Sequence, residues 1–240
     1  MEEDFSKIYE YEFAGKQYAN EIGVISMTSW KKRINTCSKT VFSLLKQCPN
    51  FHIVLVLSKD EFPLKEKELP NDLMLFVNNK LIELFWINKN LKSFKKILFT
   101  MDKYRNVPVI SADDDCIYTC NYAQELYDKW KEHSSKQCLI RWTHRIIEPI
   151  GTQGPCTLYS PESTSHIFDT IQHFNLLTND IIHDSMDDDF MAILIKKLHL
   201  KLFDLNKPAF PFKFHTSIEP LHKNQKNNGW EPCFELLDLK

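Results

Sequence analysis

Asp113, Asp114 and Asp115 follow one another directly behind the apolar run Val107-Pro108-Val109-Ile110-Ser111 and Ala112, with Cys116 after them. Three carboxylates at the carboxyl end of a buried strand repel one another and lose hydration, so the position asks for a cation. In an open α/β sheet that strand end is also where ligands bind. Oxygen-only ligands suit Mg²⁺ or Mn²⁺, which take one or two carboxylates and complete their shells with water and phosphate oxygens. The chemistry expected here is a metal-bridged phosphate ligand. An ordinary acidic turn is the plain alternative, since Asp is common in turns. The apolar strand in front favours the first reading.

A second acidic run, Asp187-Asp188-Asp189, stands just before Phe190, Ile193, Leu194 and Leu198, whose spacing predicts an amphipathic helix. Acidic residues stabilise a helix start through the macrodipole. That suffices for one Asp and less easily for three with Asp184 nearby. Basic residues gather in Lys31-Lys32-Arg33 and in Lys92, Lys95 and Lys96. Such side chains on helix surfaces are usually solvated, and only convergence on the strand ends would make them part of a site.

The elements that must position these groups are legible as alternating apolar runs and helical stripes. Strands are expected at Gly23–Met27, Ile53–Leu57, Leu73–Val77 and Leu84–Ile87, the second apolar throughout as in a sheet covered on both faces. Helices are expected from the spacing of Ile34, Cys37, Val41, Leu44 and Leu45, and of Phe94, Ile97, Leu98, Met101 and Tyr104. Strand and helix alternate as far as residue 115, the pattern of a doubly wound α/β half. Beyond it, Tyr122, Leu126 and Trp130 predict a helix and Cys138–Trp142 a strand. Pro149, Gly151, Gly154, Pro155 and Pro161 mark a loop or hairpin over residues 148–161, and the chain after Pro208 reads as an extended strap.

Composition narrows the classes. The chain has 240 residues, 43% hydrophobic and 26% charged, enough for one sizeable core or two small ones. Its 5 glycines form no phosphate-cradling loop of the G-x-G-x-x-G or G-x-x-x-x-G-K-[ST] kind. A net charge of -2 argues against a general nucleic-acid binder. Seven cysteines without paired C-x-x-C spacing read as reduced thiols, hence a cytoplasmic expectation. No apolar h-region of a signal peptide and no membrane-spanning run is present, which leaves peripheral association with the inner face of a membrane open.

Taken in order, Ser-Met-Thr-Ser-Trp at the end of the first strand, the basic turn, the αβ repeat and Ile110 to Tyr118 resemble a glycosyltransferase of the GT-A fold. More closely, the chain is similar to small bacterial-type enzymes with an S-x-T-S-x-x-x-R opening (Ser26 to Arg33) and an I-x-x-D-D-D-I-x-Y segment. The resemblance covers roughly residues 22–235 in motif order. It implies a Rossmann-like, mostly parallel sheet flanked by helices in a single domain. The nucleotide-sugar half would span about residues 20–118, the acceptor side about 119–207 and the strap about 208–240.

Carried onto this chain, Asp113-x-Asp115 is the D-x-D motif. The resemblance implies that Asp115 meets Mn²⁺ or Mg²⁺, that Asp113 or Asp114 contacts the donor ribose or a metal-bound water, and that Lys95 contacts the diphosphate. Arg33 is a nucleotide contact on the same basis. Thr28 and Ser29 could bind base or ribose, or cap the following helix. Asp189, with Asp188 second, is the candidate base for the acceptor hydroxyl if the enzyme inverts, Met191 standing where the family has an aromatic residue. His144 would sit near the acceptor, Gly154 would let the backbone approach sugar, and Tyr159 would wall it. His222 is a possible further metal ligand, which would favour Mn²⁺. Lys223 or Asn224 could close over the diphosphate.

The function so implied is metal-dependent transfer from a nucleotide-diphosphate sugar, expected to be a UDP-sugar, to a glycan or glycolipid acceptor such as a surface polysaccharide or lipooligosaccharide. Two other readings stand beside it. A nucleotidyltransferase or phosphohydrolase would use the same acidic clusters, though the first loop lacks the glycines that nucleotidyltransferases of related topology usually carry. An inactive sugar-binding module of the same fold is the other.

Overall fold

The structure is a computed structural model that describes residues 10–47, 50–133, 138–141, 156–173, 187–205 and 211–215. Its centre is an eight-stranded sheet in the order β1-β4-β3-β2-β5-β8-β7-β9. In chain order the strands are β1 (Glu12–Gly15), β2 (Gly23–Thr28), β3 (Phe51–Ser58), β4 (Glu83–Ile87), β5 (Val109–Ala112), β6 (Cys116–Tyr118), β7 (Cys138–Arg141), β8 (Thr157–Tyr159), β9 (Lys201–Asp204) and β10 (Phe212–Phe214). The centre, β4-β3-β2-β5, is parallel, and β1 and β8 run against their neighbours. A two-stranded ribbon pairs β10 with β6.

The central strands carry apolar residues on both faces because both are covered. Val24, Val54, Val56 and Phe85 pack against α3 (Lys95–Lys103), α5 (Pro161–His173) and α6 (Asp187–Lys197). Ile25, Met27, Leu55 and Trp86 pack on the other side against α1 (Ile34–Leu44), α2 (Asn71–Asn78) and α4 (Tyr122–Glu132). Burying each such side chain contributes about 1.5–3 kcal/mol, so two-sided cover is what stabilises these short strands. Among the described residues no helix is long and apolar enough to cross a membrane.

One segment differs from the sequence expectation, and β1, β9 and α5 carry none. Leu73–Val77 is not a strand but the middle of α2: Leu73 and Val77 are buried four residues apart while Leu75 between them is 60% exposed. A strand would have put all three on one face. Local chemistry nonetheless marks the start of α5. Ser160 starts it, its Oγ accepting from the Ser163 amide at 3.3 Å, and Pro161 follows in the first turn.

Chain order makes a switch point. From β2 the chain moves through β3 to β4 on one side, then returns to place β5 on β2's other flank. The crevice beyond the carboxyl ends of β2 and β5 is therefore the expected ligand site. The opposite end is closed by a buried polar network. Glu83 accepts from His52 Nε2 at 2.8 Å, Tyr104 Oη at 2.6 Å and Lys103 Nζ at 2.5 Å. Glu21, partly buried beside it, accepts from Lys16 Nζ at 2.7 Å and from the Ala19 amide at 2.8 Å.

Burial opposes ionisation of both carboxyls, but these donors outweigh it: Glu83 lies below its usual range and Glu21 falls from 4.5 to about 2. Depressed carboxyl pKa values contribute stability that is complete above the unfolded value and lost as pH falls through the folded one. The urea midpoint should accordingly drop as pH is lowered from 4.5 towards 2. Glu83→Ala should lower stability by about 3 kcal/mol at neutral pH, because His52 and Lys103 lose their buried partner.

Candidate functional site

The acidic triplet occupies the turn between β5 and β6, at the switch point. Two helix starts converge on it from opposite faces of the sheet. Arg33 immediately precedes α1 and Lys96 lies in the first turn of α3. Polar hooks fix both helices. Thr40 Oγ1 donates to the carbonyls of Asp114 and Cys116, at 2.9 and 2.8 Å, and Ser26 Oγ hydrogen-bonds the Lys96 carbonyl.

Each carboxylate of the triplet has a different environment. Asp114 points inward, where Oδ2 accepts from Ser29 Oγ at 2.5 Å and Oδ1 from Arg33 Nη1 at 2.6 Å. Burial pushes its pKa up to about 6 against the pull of Arg33 and Ser29, and the neighbouring carboxylates add to the rise. Asp115 Oδ2 lies 2.9 Å from the same Arg33 Nη1. Asp113, whose side chain is 34% exposed, pairs with Lys96 Nζ at 2.9 Å, and its amide donates to Tyr118 Oη at 2.7 Å. The middle Asp thus anchors the turn, and the outer two carry its more accessible oxygens.

The strap meets the same turn. On β10, Phe212 pairs with Tyr118 and Phe214 with Cys116, and the next amide, His215, donates to the Asp115 carbonyl at 2.9 Å. His215 Nε2 is 2.9 Å from Thr40 Oγ1. Asp188 and Asp189 stand in the first turn of α6; their backbone is described and their side chains are not. The following residue, Phe190, packs edge to face on Phe94 with ring centroids 5.5 Å apart. Phe94 is two residues before Lys96, so the start of α6 lies on the same end of the sheet as the triplet.

The predicted residues therefore separate. Ser29, Arg33, Asp113, Asp114 and Asp115 come together in one cluster. Thr28 is at its edge, buried, with Oγ1 donating to the Val56 carbonyl at 2.7 Å. Neither Thr28 nor Ser29 caps α1, which has no side-chain cap. Lys95 turns away: its Nζ is buried between Glu61 Oε2 and Asn90 Oδ1, each at 2.7 Å. Lys96, named in the sequence only as part of a basic run, supplies a second cation on the triplet beside Arg33. Tyr159 is a core residue opposite Val109 and does not wall the crevice. His144, Gly154, Asp184, His222, Lys223 and Asn224 lie outside the described residues.

No protein-family model and no curated protein sequence matches the chain. Solved structures do. The chain is similar to Staphylococcus aureus TarS residues 1–349 in complex with UDP-GlcNAc, at 16% identity and TM-score 0.56, covering 91% of this chain and 65% of that one. It is similar to the Pyrobaculum calidifontis mannosyltransferase PcManGT in complex with GDP-Man and Mn²⁺, at 10% identity and TM-score 0.53, covering 81% and 57%. The Streptococcus pneumoniae glycosyltransferase GlyE matches at 13% identity and TM-score 0.51, covering 91% and 60%. This chain thus spans under two thirds of the length of each. The fold is that of the GT-A glycosyltransferases.

The division within the triplet is testable by urea denaturation. Asp114→Ala should cost about 2 kcal/mol, since Ser29 and Arg33 lose a buried acceptor while Arg33 keeps Asp115. Asp113→Ala should cost less, about 1 kcal/mol, since its carboxylate is partly in water although its partner Lys96 is buried.

Proposed function

We propose that this protein is a metal-dependent glycosyltransferase that moves a sugar from a nucleotide-diphosphate sugar to a hydroxyl of a glycan acceptor. The observation that carries the reading is the charged cluster at the switch point of a GT-A sheet, where Asp113, Asp115, Arg33 and Lys96 converge. The complexes of TarS with UDP-GlcNAc and of PcManGT with GDP-Man and Mn²⁺ support a nucleotide-sugar donor and a divalent cation here.

The donor set suits such a cation. Asp113 and Asp115 offer hard oxygens on one turn, and among the described residues no group of three His, Cys, Asp or Glu stands ready to enclose a metal. One or two carboxylates completed by water and phosphate oxygens is the usual arrangement for Mg²⁺ and, by the same ligand preference, Mn²⁺. Asp115 and Asp113 would hold the ion. When bound, it would neutralise charge building on the departing nucleoside diphosphate.

The chain's own residues do the rest. Asp114, held by Ser29 and Arg33, sets the turn so that its neighbours face the crevice. Lys96 and Arg33 supply positive charge toward the phosphates. Asp189, with Asp188 second, takes the proton from the acceptor hydroxyl as it attacks the anomeric carbon.

Thermal unfolding with a panel of nucleotide-sugars, in Mn²⁺ and in EDTA, tests the donor site. A true donor at a hundred times its dissociation constant should add about 2.7 kcal/mol, and only with the metal. Stabilisation by no nucleotide-sugar, or equally in EDTA, would remove this reading. Asp115→Asn should abolish both the metal-dependent stabilisation and turnover while the circular dichroism stays unchanged. Asp189→Asn should bind donor as the wild type does and lose transfer; release of inorganic phosphate or pyrophosphate in place of sugar transfer would point to a phosphohydrolase or nucleotidyltransferase.

A further inference from the structure

We propose that Arg33 is a positioning residue that makes divalent-cation binding at Asp115 conditional on a nucleoside diphosphate. The inference rests on the metal-and-donor reading above. Arg33 Nη1 bridges Asp114 Oδ1 at 2.6 Å and Asp115 Oδ2 at 2.9 Å, and its side chain is 6% exposed. The guanidinium therefore already occupies an oxygen that the metal would use. It is held there from two sides, since Asp114 is itself fixed by Ser29 and by the Thr40 bond to its carbonyl.

The charge balance gives the bridge its consequence. Three carboxylates against Arg33 and Lys96 leave a single negative charge in a partly buried turn. A divalent cation entering alone reverses that sign and meets the guanidinium at close range, where repulsion is little screened. A cation arriving with a diphosphate brings its own compensation. Arg33 Nε, like several other buried side-chain atoms, has no hydrogen-bond partner among the described residues. A buried donor left unsatisfied is costly, and a phosphate oxygen is the partner it lacks. The diphosphate can thus draw the guanidinium off Asp115 as the metal takes its place. Cation and nucleotide would each raise the other's affinity by the same factor.

Equilibrium Mn²⁺ binding, followed by electron paramagnetic resonance with and without UDP or GDP, tests this without any turnover. Wild-type protein should bind Mn²⁺ alone weakly and gain about tenfold or more with the diphosphate. Arg33→Gln should bind Mn²⁺ alone about tenfold more tightly than wild type and gain less from the diphosphate. Arg33→Lys keeps a cation for Asp114 but gives up the bridge, and should shift the same way by a smaller factor. It alone decides the matter if Arg33→Gln does not fold. Folded variants whose affinity for Mn²⁺ alone equals or falls below the wild type's would overturn the role of Arg33. Wild-type protein that binds no Mn²⁺ even with either diphosphate would instead remove the donor-site reading, and this proposal with it.

Discussion

Three carboxylates gathered where water is largely excluded stay ionised only if cations are fixed beside them, and the arrangement of this protein around β5 follows from that requirement. Arg33 and Lys96 come from the starts of α1 and α3, on opposite faces of the sheet. Each helix is tied to the site by a polar hook: Thr40, about two turns along α1, to the carbonyls of the acidic turn, and Ser26 to the carbonyl of Lys96. Helix placement and charge balance are one arrangement. The strap joins it through the His215 amide on the Asp115 carbonyl, so three separate stretches of chain converge on one turn.

The two ends of the sheet show what separates a structural charge cluster from a functional one. At the amino ends, Glu83 is buried and receives donors from His52, Tyr104 and Lys103. Its hydrogen-bonding capacity is spent within the protein, and it locks the β1–β2 connection against the sheet through Glu21 and its neighbours. At the carboxyl ends the balance is left incomplete. Asp114 is saturated, but Asp113 keeps a partly open carboxylate and Arg33 an unused buried donor.

Much of the frame could be read from residue order. The strands β2, β3 and β4 are buried along their whole length because both faces are covered, and the stripes of α1, α3, α4 and α6 follow the helical period. Where reading failed, local pattern was ambiguous. Leu73-Met74-Leu75-Phe76-Val77 satisfies either period, and only the exposure of Leu75 shows that the helix won. The α5 helix begins with Ser160-Pro161-Glu162, a recognisable start signal hidden behind a stretch rich in proline and glycine.

The sequence by itself determined the chemistry on offer: an acidic triplet behind a buried strand, basic residues after β2 and before α3, and a second acidic run opening a helix. It could not decide which group meets which. Lys95 and Lys96 are equivalent in a linear reading, but successive positions on a helix point about 100° apart, 3.6 residues making a turn. One ammonium therefore reaches Glu61 and Asn90, and the other reaches Asp113. In the same way, nothing in Asp-Asp-Asp distinguishes its members until Ser29 and Arg33 arrive from β2 to take the middle one. Those pairings span some eighty residues of chain, and long-range packing alone brings their partners together.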